Sequence, residues 1–103
     1  MGRKTAKDCY RHAIKRARER YDAFFTFDEM EVLSRRIRQC NVPGRAGVVH
    51  LLTESGTRTH WLIDDQFIVV YNRNLKAITT FLPPDAIYSY LPVRQGFRHD
   101  VLA

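Results

Sequence analysis

From residue 4 to residue 21 the apolar side chains Tyr10, Ala13, Ile14, Ala17 and Tyr21 recur every three or four positions among charged ones. That spacing lines one face of a helix. The pattern breaks at Asp22–Phe27. Thr26-Phe27-Asp28-Glu29 then has the form of a capping box, in which the threonine oxygen takes a backbone N–H and the glutamate reaches back. A second helix is expected from there to about Cys40, with Met30, Leu33, Ile37 and Cys40 on one stripe. "NVPGRAG" ends it, because Pro43 and Gly44 do not extend a helix. Beyond this point the period changes. "VVHLL" (48–52), "THWLI" (59–63), "FIVVYN" (67–72) and "AITTFL" (77–82) are β-branched and aromatic runs. They are separated by "ESG", by Asp64-Asp65 and by "NRN", and they stop at Pro83-Pro84, so an antiparallel meander is expected. The order α-α-β-β-β-β gives an α+β domain, two N-terminal helices packed on a four-stranded antiparallel sheet. Residues 1–103 form a single domain, with helices over about 4–40, the sheet over about 47–83 and a C-terminal extension over 84–103. The tail 85–103 carries Ile87, Tyr88, Tyr90, Leu91, Val93 and Phe97, and packs either on the sheet or on a partner.

An apolar content of 45% in 103 residues supports a modest core. The charge changes the picture more. The formal net charge is +6, and residues 1–20 hold eight Lys or Arg against Asp8 and Glu19, which is the whole excess. A localised positive element calls for an anionic partner (RNA, DNA or an acidic protein), or else it is a solvated helix face. No apolar run approaches the ~20 residues that cross a bilayer. The charged start lacks a signal-peptide apolar region, and Ala6 stands where a myristoylation signal takes Ser or Thr. A cytoplasmic protein with no membrane partner is expected. Cys9 and Cys40 read as small buried hydrophobes on helix stripes, and a cytosolic setting disfavours a disulfide. Two Cys and four His show no zinc-ligand spacing, so no metal or cofactor is expected.

"HAIKRARERY" (12–21) resembles the first-helix motif His-Ala-x-x-Arg-x-x-x-Arg of small RelE-like phage and bacterial proteins. "FIVVYNRNLKAITTFLPP" (67–84) is similar to their last two strands, one close to Val-Val-Tyr-Asp and one close to Ile-x-Thr-x-Leu-Pro. These proteins belong to the wider barnase–EndoU–colicin–RelE group of ribonuclease folds, and the similarity covers residues 10–84 in order. Where related chains often turn on a glycine after the first motif, this one has Tyr21-Asp22. The resemblance implies metal-independent endoribonuclease activity, often as a toxin or phage-encoded effector with an antitoxin as partner. A non-catalytic protein on the same fold, binding and inhibiting a host protein or nucleic-acid complex, is the alternative.

Cutting RNA without a metal needs a base for the 2′-hydroxyl, an acid for the leaving 5′-oxygen, and fixed positive charge around the phosphorane. His12, Arg16 and Arg20 stand at i, i+4 and i+8 on one ridge beside the apolar stripe. His12 suits the acid or base role and Arg16 the phosphate clamp; the competing reading of His12 is a solvated surface histidine. By the resemblance, Tyr71 and Thr80 match the tyrosine and threonine of the last two strands and complete the catalytic set. Thr80 shares a strand face with Ile78 and Leu82, where β-propensity alone accounts for a hydroxyl, and for Tyr71 a half-buried core position is the stronger competing reading. Arg11, Lys15, Arg20, Arg58 and His60 are candidates for holding RNA phosphates. Arg58 and His60 lie two apart on one strand face, where they face a site that Thr80 shares. Arg45 in "PGRAG" is a looser candidate, His50 and His99 offer nothing specific, and Asp64-Asp65 reads as a hairpin turn and not as a metal site.

Overall fold

A computed structural model describes residues 5–40 and 47–90. The elements follow the expected order. Helix α1 spans Ala6–Tyr21 and α2 spans Phe27–Arg38. The strands are β1 (Val48–Thr53), β2 (Arg58–Ile63), β3 (Phe67–Asn72) and β4 (Ala77–Leu82), followed by a 3₁₀ segment, Pro84–Ser89. The sheet is an antiparallel meander in the order β1-β2-β3-β4, with both helices against one of its faces.

Each helix starts on a capping box. Thr26 Oγ1 accepts the Glu29 N–H at 3.1 Å, and Glu29 Oε1 accepts the Thr26 N–H at 2.8 Å. Thr5 and Asp8 make the same reciprocal pair on α1, so that helix begins on a threonine just after its expected start. Asp22 closes α1 in the left-handed region, φ 55°, with its N–H on the Arg18 carbonyl and the Ala23 N–H on the Ala17 carbonyl. That is the αL closure, with its C′ N–H on the C3 carbonyl, usually given to glycine; aspartate is among the residues that tolerate it. Asp64 and Asp65 both have positive φ and form the centre of the β2–β3 turn, which the Gln66 N–H closes on the Ile63 carbonyl at 3.0 Å. In the next turn the Asn72 side chain accepts the N–H groups of Asn74 and Leu75, each at 2.9 Å.

The helix stripes bury Cys9, Tyr10, Ala13, Ala17, Met30, Leu33 and Ile37 against Val48, Ile63, Val69, Tyr71, Ile78 and Phe81. Cys40 is half-buried, with its Sγ 4.0 Å from the Val48 carbonyl oxygen. Tyr21, Phe25, Phe67 and Phe81 form an aromatic cluster at one end, with ring centroids 5.1–6.0 Å apart. There the Tyr21 hydroxyl accepts the Ile68 N–H at 3.1 Å and donates to the Leu82 carbonyl at 2.6 Å.

Strand β4 departs from regular alternation. Val70 pairs with Thr80 but Tyr71 pairs with Ile78, so Thr79 is an extra residue. Such a bulge flips the side-chain period on one side of it. Ile78 and Phe81 therefore both face the helices, and Thr80 does not share a face with Ile78, contrary to the expectation from alternation. The Ile78 N–H is taken by Ser34 Oγ at 3.2 Å, within the buried core. A second irregularity lies in β1, where His50 pairs with Trp61 and Leu52 with His60.

The face of the sheet turned away from the helices is also partly covered. Ile68 and Val70 are buried there although they lie outside the helix-facing core. The 3₁₀ segment crosses β3, and Tyr90 is buried with its hydroxyl oxygen 2.7 Å from His60 Nδ1. The start of the tail thus packs on the sheet, while Tyr88 is exposed. Arg45, His99 and the tail beyond Tyr90 lie outside the described residues.

Candidate nucleic-acid interface

Both helices pack toward the β4 side of the sheet. The helix-facing side chains of β1 and β2 beyond the end of α2 are therefore left partly open. A cleft of about 440 Å³ lies there, between the last turn of α2, strands β1 to β3 and the β3–β4 turn. Arg38, Arg73 and Lys76 line it together with His50, Trp61 and Tyr71.

The local folding explains each placement. His50 and Trp61 are directly paired across β1 and β2, so they project on the same side. The indole is fixed, since Trp61 Nε1 donates to Thr59 Oγ1 at 2.8 Å. The His50 ring meets it edge-on, with centroids 5.2 Å apart at 71°. His50 Nε2 is 3.0 Å from Thr53 Oγ1, and the ring is exposed. Tyr71 is 5% exposed, and burial pushes its hydroxyl pKa up against the opposing pull of the hydrogen-bonded Arg38 guanidinium. Arg38 Nη1 also donates to the Lys76 carbonyl at 3.2 Å, which ties the end of α2 to the β3–β4 turn. Glu31 lies 3.8 Å from Arg38 Nη2 and offsets part of that charge. Arg73 and Lys76 are exposed at the rim. The arrangement presents three cations, a titratable ring and a fixed aromatic surface to one concavity, which suits an anion that carries planar groups.

The residues singled out in the sequence fall on three surfaces. His12, Arg11 and Lys15 are exposed on α1, and no α1 residue lines the cleft. Arg11 pairs with Asp8 at 3.1 Å and Arg16 with Glu19 at 2.7 Å. Arg20 turns to the sheet, where its Nη1 donates to the Phe81 carbonyl at 2.7 Å. Tyr71 lies in the cleft. Thr80 lies on the opposite face, half-buried, paired with Val70. Arg58 and His60 share that face with it, on the far side of Val70. Glu54 joins these two, 2.8 Å from His60 Nε2 and 3.1 Å from Arg58 Nε. The His60 hydrogen bond, and then the Arg58 charge, hold the Glu54 carboxyl below its ordinary pKa. The sheet thus separates Tyr71 from Thr80, Arg58 and His60.

Sequence reasoning passed over His50, Arg38, Arg73 and Lys76. A signal existed in part: His50 and Trp61 stand at the middle of the expected runs 48–52 and 59–63, which a symmetric hairpin would bring together. Among the described residues no group of three or more His, Cys, Asp or Glu is placed to hold a metal ion, and no helix is long and apolar enough to cross a membrane. No protein-family model, no curated protein and no solved structure matches the chain.

Proposed function

We propose that this protein binds single-stranded RNA in the cleft and cleaves it without a metal, as a RelE-like endoribonuclease. The observation that carries the reading is the convergence of Arg38, Arg73 and Lys76 on the same concavity as His50, Trp61 and Tyr71. The three cations hold the phosphate and oppose the charge that grows on it. Trp61, fixed by Thr59, offers an unpaired base a stacking surface. His50 takes the 2′-hydroxyl proton as that oxygen attacks phosphorus and the bond to the 5′-oxygen breaks. Tyr71, kept protonated by burial, gives its proton to the leaving 5′-oxygen, with the Arg38 guanidinium beside it to accept the phenolate charge. The acid–base role proposed for His12 from the resemblance passes to His50, because α1 does not reach the cleft.

The test is incubation of labelled RNA with the parent protein and with His50→Ala, Tyr71→Phe and His12→Ala, all in a chelator. His50→Ala is expected to lose about a hundredfold or more in rate, with His12→Ala near parental. Loss in His12→Ala with His50→Ala unchanged would return the chemistry to α1. One observation favours a second reading, a non-catalytic binder: His12, His50 and His60 lie on three separate surfaces, so among the described residues no two histidines pair as acid and base. Saturable RNA binding in the cleft with no product at any pH supports that reading.

A further inference from the structure

The outward side of α1 carries a second surface, and it is built differently from the cleft. Phe24 is 70% exposed and Phe27 37%. The Arg18 guanidinium carbon lies 6.0 Å from the Phe24 ring centroid, and that of Arg11 lies 6.0 Å from the Phe27 ring. Between the two arginines a shallow pocket is lined by Ile14, Lys15 and Glu19 together with the arginines themselves. The half-buried Ile14 is thus held between two cation-capped aromatic rings. Arg11 and Arg18 are seven residues apart, about 10.5 Å along the helix axis. The nearby carboxylates, Asp8 and Glu19, are already engaged by Arg11 and Arg16.

We infer that this strip docks an acidic amphipathic helix of a partner protein. The occupant is argued from complementarity of charge and spacing. A helix lying along α1 with two carboxylates seven residues apart spans the same ~10.5 Å and meets both guanidiniums, while an apolar side chain midway between them covers Ile14. RNA fits less well, because the ring faces that would stack bases are capped by the arginines. The chain's own residues 91–103 have the wrong charge for this role, with Arg94 and Arg98 against Asp100. The surface is separate from the cleft, and its assignment stands or falls apart from RNA cleavage.

The experiment is a fluorescence-anisotropy titration of the full chain with a labelled alanine-based helical peptide that bears glutamates about seven residues apart and leucine between them. Saturable binding is expected, weakened at least about tenfold by Phe24→Ser and by Arg18→Glu, both exposed substitutions checked for retained fold by circular dichroism. Lys76→Glu, in the cleft, is expected to leave it unchanged. The inference is overturned by absence of saturation at about millimolar protein. It is overturned equally if the glutamine version of the peptide binds as well, if Lys76→Glu weakens binding as much as Arg18→Glu, or if a short single-stranded RNA displaces the peptide and itself loses affinity in Phe24→Ser. Concentration-dependent self-association that Phe24→Ser abolishes, without peptide binding, would make a second copy of the chain the occupant.

Discussion

Ser34→Ala removes one oxygen from the middle of α2, and its effect can be worked from the β4 bulge. Ser34 is fully buried and its Oγ accepts the Ile78 N–H at 3.2 Å. It also lies 3.3 Å from the Tyr10 hydroxyl. Alanine fits the space and is the better helix former by several tenths of a kcal/mol. Against that gain, the Ile78 N–H loses its acceptor inside the core, which costs about 1–3 kcal/mol. The net expectation is about 1–2 kcal/mol of destabilisation, or about 5–15 °C in Tm for a domain near this size. Urea unfolding followed by circular dichroism measures it, with an unchanged slope showing that the denatured state is not affected. A cycle with Tyr10→Phe should show coupling, since the two hydroxyls touch. Parental stability in Ser34→Ala would refute the reasoning, because it would mean that the bulge amide does not depend on that oxygen.

Trp61 is the only tryptophan and stands in the cleft, so single-stranded RNA should change its emission. With three cations engaged, log Kd should move with log salt with a slope of magnitude about 2, falling by about 0.7 for each of Arg73→Ala and Lys76→Ala; a salt-independent affinity would remove the phosphates from the interface. Asp64 is bonded to Arg36 at 2.7 Å, and that guanidinium holds its carboxyl below the ordinary value of 3.8. A folded-state value below the unfolded one contributes stability above the unfolded pKa that is lost as pH falls through the folded value. Asp64→Asn should therefore make the urea midpoint fall less steeply below about pH 4, and an identical acid limb in parent and variant would count against the pair.

The elements whose causes are local were legible in the sequence. Thr26 and Glu29 announce the start of α2, Asp64-Asp65 the hairpin turn, and the β-branched runs the four strands. Thr80 was misplaced relative to Ile78 because alternation assumes one residue per pairing position. The bulge at Thr79 depends on Ser34, 44 positions before Ile78 in sequence, to hold the Ile78 amide. The cleft was hidden for a related reason. It exists because both helices crowd toward β4 and leave the far ends of β1 and β2 partly uncovered, and nothing in the pattern of one strand states how far a helix reaches across a sheet. His50 carries no motif; its neighbours give it meaning. Tyr71 was singled out and does line the cleft, but Arg16 and Arg20 spend their guanidiniums on Glu19 and on the Phe81 carbonyl.

The two borders of the sheet differ in what they offer another polypeptide. Along β4, side chains from the helices occupy backbone groups that an incoming strand would use: Ser34 takes the Ile78 amide and Arg20 the Phe81 carbonyl. Along β1 the described residues offer less: Cys40 Sγ lies 4.0 Å from the Val48 carbonyl oxygen, and "VVHLLT" contains no lysine, acid or proline to deter pairing. Its defence is the irregularity between His50 and Leu52, which breaks the row of amides into two short pieces. Polymerisation through strand exchange would therefore begin at β1, and a change that straightened it by deleting Leu51 would lengthen the adhesive border while leaving the helices untouched.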